Sequence, residues 1–194
     1  MVLVPGADVL LTAVLSIFLF LALCAALVLI VVAMRRLSTY PLLVAGILVV
    51  LALLVVAISP VNTPAIMGLI LTVLGVTVAV VGGNPVARRV LDYAAGSRVR
   101  ETADGGIIVT ADDGDTARTL MRGGTVIGYL ERLAAVVAIV VGYPEAIAVV
   151  VAIKGIGRFS ELGEPEARER FIVGTLASLV WACVVGALLR LAIW

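Results

Sequence analysis

Glu131, Arg132, Lys154 and Arg158 are the charged residues of this sequence whose spacing could do chemistry, because they sit within or against apolar segments. Two apolar runs, Val126–Val141 and Glu145–Ile156, are split by Gly142-Tyr143-Pro144, which reads as the turn of an antiparallel helical hairpin. In such a pair, position 131 falls level with about position 156, where Lys154 and Arg158, spaced i and i+4, share one face. The pattern predicts that Glu131 pairs with Lys154 or Arg158 across the hairpin. Charges inside a membrane segment are costly and usually paired. One reading is therefore a structural ion pair near the interface, with Arg132 reaching out to headgroups. The other is a binding site. Arg122, Arg132, Lys154 and Arg158 outnumber their nearest carboxylate, and Gly123-Gly124 would let backbone N–H groups approach an anion at a helix start. A lipid phosphate or a small anion is the ligand such chemistry favours.

Other reactive groups are sparse. The chain has no histidine, and its two cysteines, Cys24 and Cys183, lie inside apolar runs and read as packing residues. That removes histidine metal sites, histidine general bases and Cys–His dyads together. Asp112-Asp113-Gly114-Asp115 lacks the spaced ligands and terminal glutamate of a calcium loop and reads as a solvated acidic turn. Glu145, after Pro144, suits the favourable end of a helix dipole. Ser97, Ser160 and Thr102 have no base nearby in the sequence. No catalytic set, no metal site and no cofactor is expected, and the expectation leans away from an enzyme.

The elements that carry these residues follow from composition. Of 194 residues, 63% are hydrophobic and 14% charged, with a mean hydropathy of +1.24. A soluble domain of this size cannot bury so much apolar surface in one core, so the lipid bilayer is the expected solvent. A span needs about 20 mostly apolar residues. Val9–Met34, Leu42–Ile58 and Pro64–Val81 meet or approach that length, and Gly82-Gly83-Asn84-Pro85 reads as the stop of the third. Residues 84–122 are strongly polar and are expected in water, with a short surface helix over Arg88–Ala95 and either a small strand hairpin over Val99–Thr110 or disorder. The apolar hairpin follows, each arm short of a hydrocarbon core of roughly 30 Å, so it either crosses thinly or re-enters. A final span covers Phe171–Ile193. It carries Gly174, Ser178, Ala182 and Gly186 at four-residue spacing, a small-residue stripe that lets another helix approach closely. A helix of the same chain is the first expectation for that partner, and a second copy the alternative. The expected fold is thus an all-α integral membrane protein with about six hydrophobic helices. Its parts are a three-helix region (1–83), a polar loop (84–122), and a hairpin plus final span (123–194).

Basic residues set the expected orientation. If Arg35-Arg36 face the cytoplasm, alternation places the 84–122 loop, Lys154, Arg158, Arg168 and Arg170 there too, and only Arg190 falls outside. The N-terminus is then outside, in a plasma (inner) membrane. A net charge of +1 gives no reason to expect a nucleic-acid partner.

Arg122-Gly123-Gly124, Ile127-Gly128 and Leu130-Glu131-Arg132 continue through Lys154, Arg158-Phe159, Glu161-Leu162, Phe171, Gly174-Thr175 and Ser178. This series resembles a signature of a bacterial family of multi-pass membrane proteins that has no assigned activity. The resemblance covers about residues 122–183. It implies a unit over those residues and no mechanism. The expected function is a non-enzymatic membrane component that assembles with itself or with a membrane partner. The alternative is a small transporter or channel for an anion or lipid, and the third is an enzyme acting on lipid phosphates.

Overall fold

The computed structural model describes residues 5–36, 39–95, 124–157 and 165–194. These form six helices: α1 (Pro5–Arg36), α2 (Thr39–Ile58), α3 (Ala65–Ala95), α4 (Gly124–Val141), α5 (Ala146–Gly157) and α6 (Pro165–Ile193). All but α5 are long and apolar enough to cross a membrane. The chain is an all-α membrane protein. The end of the bundle that holds residues 36, 39, 95 and 124 is the loop end, and the other is the far end.

Because lipid is as apolar as leucine, burial of oily side chains cannot order these helices against one another; close packing and internal hydrogen bonds must. The buried positions of α2 show how this is done. Leu42, Ala45, Val49, Ala52 and Val56 recur at alternating three- and four-residue steps, one narrow seam on a helix that is apolar all round. Leu43, Ile47 and Leu54 face outward to lipid instead. In α1 the seam is Leu15, Leu19, Ala22, Ala26, Ile30 and Ala33, and it packs on α2 and α3.

Helix α6 is the centre, contacted by α2, α3 and α4. It runs antiparallel to α3, with Gly68 against Ile193, Gly75 against Leu189, Gly82 against Trp181 and Leu91 against Gly174. The glycines of α3 at 68, 75 and 82 fall on one face at seven-residue spacing and receive large side chains of α6. At the far end the Thr63 N–H and Oγ1 both donate to Ala192 O, at 2.9 and 2.8 Å, filling an acceptor that a helix end leaves open.

Helix α4 runs parallel to α6, with Ile139 on Gly186 and its end tied by Arg190, whose Nη1 donates to Ile139 O and Val140 O at 3.1 and 3.3 Å. The turn into α5 closes α4 by a Schellman arrangement. The Gly142 N–H donates to Ile139 O and the Tyr143 N–H to Ala138 O, with Gly142 at φ 87°. A Cβ there would also lie 2.6 Å from Arg190 Nη1. Gly142→Ala is expected to cost about 1–2 kcal/mol from the left-handed backbone alone, and Gly142→Asn less, because asparagine tolerates that conformation. Thermal unfolding of the purified protein reads the order of the two.

The helix bounds correct the expected organisation in two places. Helix α3 does not stop at Gly82-Gly83-Asn84-Pro85; it continues unbroken to Ala95 with Pro85 inside it. Residues 84–95 therefore belong to the third helix, not to the polar loop, and the short surface helix expected over Arg88–Ala95 is its last turns. The physical reason is packing. Gly82 and Gly83 make room for Trp181 and Arg132, and Asn84 accepts a bond from Arg132, so tertiary contacts hold a sequence that would otherwise break. Helix α6 also begins earlier than expected, at Pro165 rather than Phe171, with proline in the first turn, where its missing N–H costs nothing. The strand hairpin expected over 99–110 lies outside the described residues.

Candidate functional site

Helix α4 brings two charges into the bundle and sends them to different neighbours. Arg132 turns inward and is only 1% exposed. Its Nε donates to Val80 O of α3 at 2.8 Å, its Nη2 to Asn84 Oδ1 of α3 at 2.8 Å, and its Nη1 to Ser178 Oγ of α6 at 2.8 Å. The guanidinium carbon also lies 5.2 Å from the centre of the Tyr129 ring, a cation–π distance. The planar fork thus ties α4 to both neighbours at once, which a lysine could not do from one point charge. From Ser178 to Ile193 α6 climbs fifteen residues, about 22 Å at 1.5 Å per residue. In a hydrocarbon core of roughly 30 Å this places Arg132 in the third nearest the loop end.

Gly83 makes the fork possible. A Cβ at that position would overlap Arg132 Cδ and lie 2.6 Å from Nε. Gly128, on α4 itself, leaves space beside Nη1 at 3.3 Å. Gly83→Ala is expected to force the guanidinium out of its three bonds and to cost about 2–4 kcal/mol. Gly46→Ala, where a Cβ meets nothing within 4 Å, serves as the neutral comparison. Detergent-solubilised thermal unfolding of the two variants distinguishes a packed seat from tolerant backbone.

Glu131 faces α5. Its Oε2 accepts from Lys154 Nζ at 2.6 Å, with side-chain exposures of 8% for Glu131 and 16% for Lys154. Glu131 Oε1 is buried and has no hydrogen-bond partner. The Lys154 ammonium also lies 5.5 Å from the centre of the Phe171 ring on α6. The pair expected across the hairpin therefore forms, with Lys154 as the partner. Helix α5 contributes no buried residue. It rests on α4 through its half-buried positions, Ile147 among them, so this ion pair is its strongest polar tie to the bundle.

The basic cluster expected at the mouth of the hairpin is divided. Arg122, Gly123 and Arg158 lie outside the described residues, and Gly124 opens α4. Of the rest, Arg132 is spent on Val80, Asn84 and Ser178 inside the bundle and does not reach headgroups, while Lys154 is turned to Glu131. Headgroup contact was expected for Arg132 because its acceptors could not be seen: two of them sit on α3, in or beside the stretch that reads as a helix stop. The small-residue stripe is used within the chain. Gly174 takes Leu91 of α3 and Gly186 takes Ile139 of α4, while Ala182 is fully buried and Ser178 receives Arg132.

Trp181 was missed by the sequence reading. It is buried, fills the space left by Gly82, and donates from Nε1 to Val78 O at 3.2 Å. The signal was available in the heptad spacing of Gly68, Gly75 and Gly82. Compared with protein-family models, with curated proteins and with solved structures, the chain matches none of them.

Proposed function

We propose that this chain is a non-enzymatic component of a cell membrane, its loop end in the cytoplasm, which assembles with another membrane helix along the outer face of α5. One observation carries this reading. The stripe on α6 that first suggested assembly is filled by the chain's own α3 and α4, whereas small residues on α5 are open. Ala148 and Ala152, four residues apart, are exposed, and a Cβ at Gly155 would meet nothing within 4 Å. Small residues at that spacing allow a partner helix to come close enough for van der Waals contact and weak backbone bonds, which drive association in lipid. Of the four basic residues behind the transport reading, Arg132 is bonded on all three of its nitrogens within the bundle.

Cysteine cross-linking in native membranes tests the proposal. In a background with Cys24 and Cys183 replaced by alanine, Ala152→Cys is expected to give a specific adduct: twice the chain mass for a second copy, another mass for a different partner. Leu21→Cys, on the lipid-facing side of α1, is the collision control. Equal yields at the two positions would remove α5 as an assembly face.

A further inference from the structure

Glu131 keeps one carboxylate oxygen that neither the fold nor the ion pair uses. Oε2 accepts from Lys154 Nζ at 2.6 Å, while Oε1 is buried and has no hydrogen-bond partner. The side chain is 8% exposed, so bulk water does not spread the charge either. Helix α4 is packed by α3, α5 and α6, and among the described residues the charged groups they bring are few. Helix α5 brings Lys154. Helix α6 brings the Phe171 ring, 5.5 Å from the ammonium, with Arg168, Glu169 and Arg170 in the turn before it at the loop end. What α3 offers at this level, Val80 O and Asn84, goes to Arg132, and its charges Arg88, Arg89 and Asp92 lie further toward the loop end. On α4 itself Arg132 turns to α3 and α6, with Tyr129 beside it. Lys154 is thus the one ion-pair partner of Glu131 among the described residues.

We propose that Glu131 is a proton-binding site and Lys154 its displaceable counter-ion, so that proton uptake frees α5 from α4. Lysine is the looser half of the pair. Its side chain is 16% exposed, and α5 contributes no buried residue to hold the helix in place. When the ammonium swings toward the loop end on its flexible stem, a bare carboxylate is left against apolar helices. Neutral acid is far cheaper there than an unpaired charge. A proton is also the one cation that so enclosed an oxygen accepts without displacing a neighbour. The exchange balances: hydronium at the loop end forms an O–H bond with the carboxylate and leaves water. Lys154 stays an ammonium, and the pair goes from net zero to +1. The closed form needs the charged carboxylate and the open form holds the proton. Acid therefore favours opening, and opening favours proton uptake, by linkage. The inference concerns the inner face of α5 and does not rest on assembly along its outer face.

The test uses the full chain in phosphatidylcholine nanodiscs, with Cys24 and Cys183 replaced by alanine. Nitroxide labels at Ile156→Cys on α5 and Leu21→Cys on α1, both exposed, report the distance across the bundle by double electron–electron resonance. Lowering the pH from about 8 to about 4 should build up a second, longer distance. Its share relative to the first should grow by up to tenfold per pH unit, the limit for one proton. Leu21→Cys paired with Val180→Cys on α6, also exposed, should keep one distance throughout. Infrared difference spectra of the unlabelled wild type should gain the carbonyl stretch of a protonated carboxyl group over the same pH interval. Glu131→Gln mimics the protonated form. It should show the longer distance already at the alkaline end, lose the pH response and lack that band. A wild-type α5 distance that ignores pH would overturn the proposal, as would a Glu131→Gln variant that still responds. Equal changes in both label pairs would show the whole bundle loosening and would also overturn it. Should Glu131→Gln fail to accumulate, the wild type decides alone: an infrared midpoint that departs from the distance midpoint contradicts the site.

Discussion

Arg132→Leu is expected to be the most damaging single substitution in the protein, lowering stability by about 3–5 kcal/mol. The leucine fills part of the volume but leaves Val80 O, Asn84 Oδ1 and Ser178 Oγ without their donor. In the bilayer interior none of these can turn to bulk water. Arg132→Lys should rescue little, because one ammonium cannot reach three acceptors spread over two helices. Ser178→Ala removes one neutral partner and is expected to cost only about 0.5–2 kcal/mol. Accumulation in membranes and thermal unfolding in mild detergent give the ranking. An Arg132→Lys variant as stable as the wild type would show that charge, not the fork, is what the site needs.

The Glu131–Lys154 pair yields the second large effect, and it is asymmetric. Lys154→Met strands a carboxylate that is 6% exposed overall and already has one oxygen without a partner. Breaking a buried pair in this way typically costs about 3–5 kcal/mol. Glu131→Gln should cost less, since Lys154 is more exposed and its four-carbon stem can carry the ammonium toward the loop end. The double variant Glu131→Gln/Lys154→Met is expected to recover most of the Lys154→Met loss, because nothing charged remains buried between the helices. Because α5 has no buried residue of its own, the damage should fall mainly on the hairpin. Hydrogen exchange over residues 146–157 should rise before exchange in α6 does. Uniform loss across the bundle would instead place the pair in the global core.

The hairpin and its ion pair were legible in the sequence because both signals are local: Gly142-Tyr143-Pro144 marks a turn, and the position of Lys154 relative to it fixes a register. The same local logic failed at Gly82-Gly83-Asn84-Pro85. By itself that string breaks helices. Here each residue but the proline answers a side chain from a distant helix, so its meaning lies in Trp181 and Arg132, roughly fifty to a hundred positions away. The direction of Arg132 failed for the same reason. An arginine beside a glutamate near the end of a span suggests headgroups, and only the placement of Asn84 and Ser178 turns it inward. The stripe on α6 was visible as a packing face. Which helix fills it depends on Leu91 and Ile139, ordinary apolar residues that carry no signal of their own.

Helix α6 is enclosed by its own chain, with α3 and α4 on its small-residue stripe where a second copy would otherwise sit. A disulfide between Gly186→Cys and Ile139→Cys tests this directly. A Cβ at Gly186 would lie 3.2 Å from Ile139 Cβ, close to the roughly 3.5–4.5 Å range of natural bridges. With Cys24 and Cys183 replaced by alanine, mild oxidation in membranes should give a monomer that migrates faster on a non-reducing gel and returns to its normal position on reduction. A covalent dimer in place of that shifted monomer would mean that the stripe joins two chains, and the enclosed arrangement of α3, α4 and α6 would be wrong.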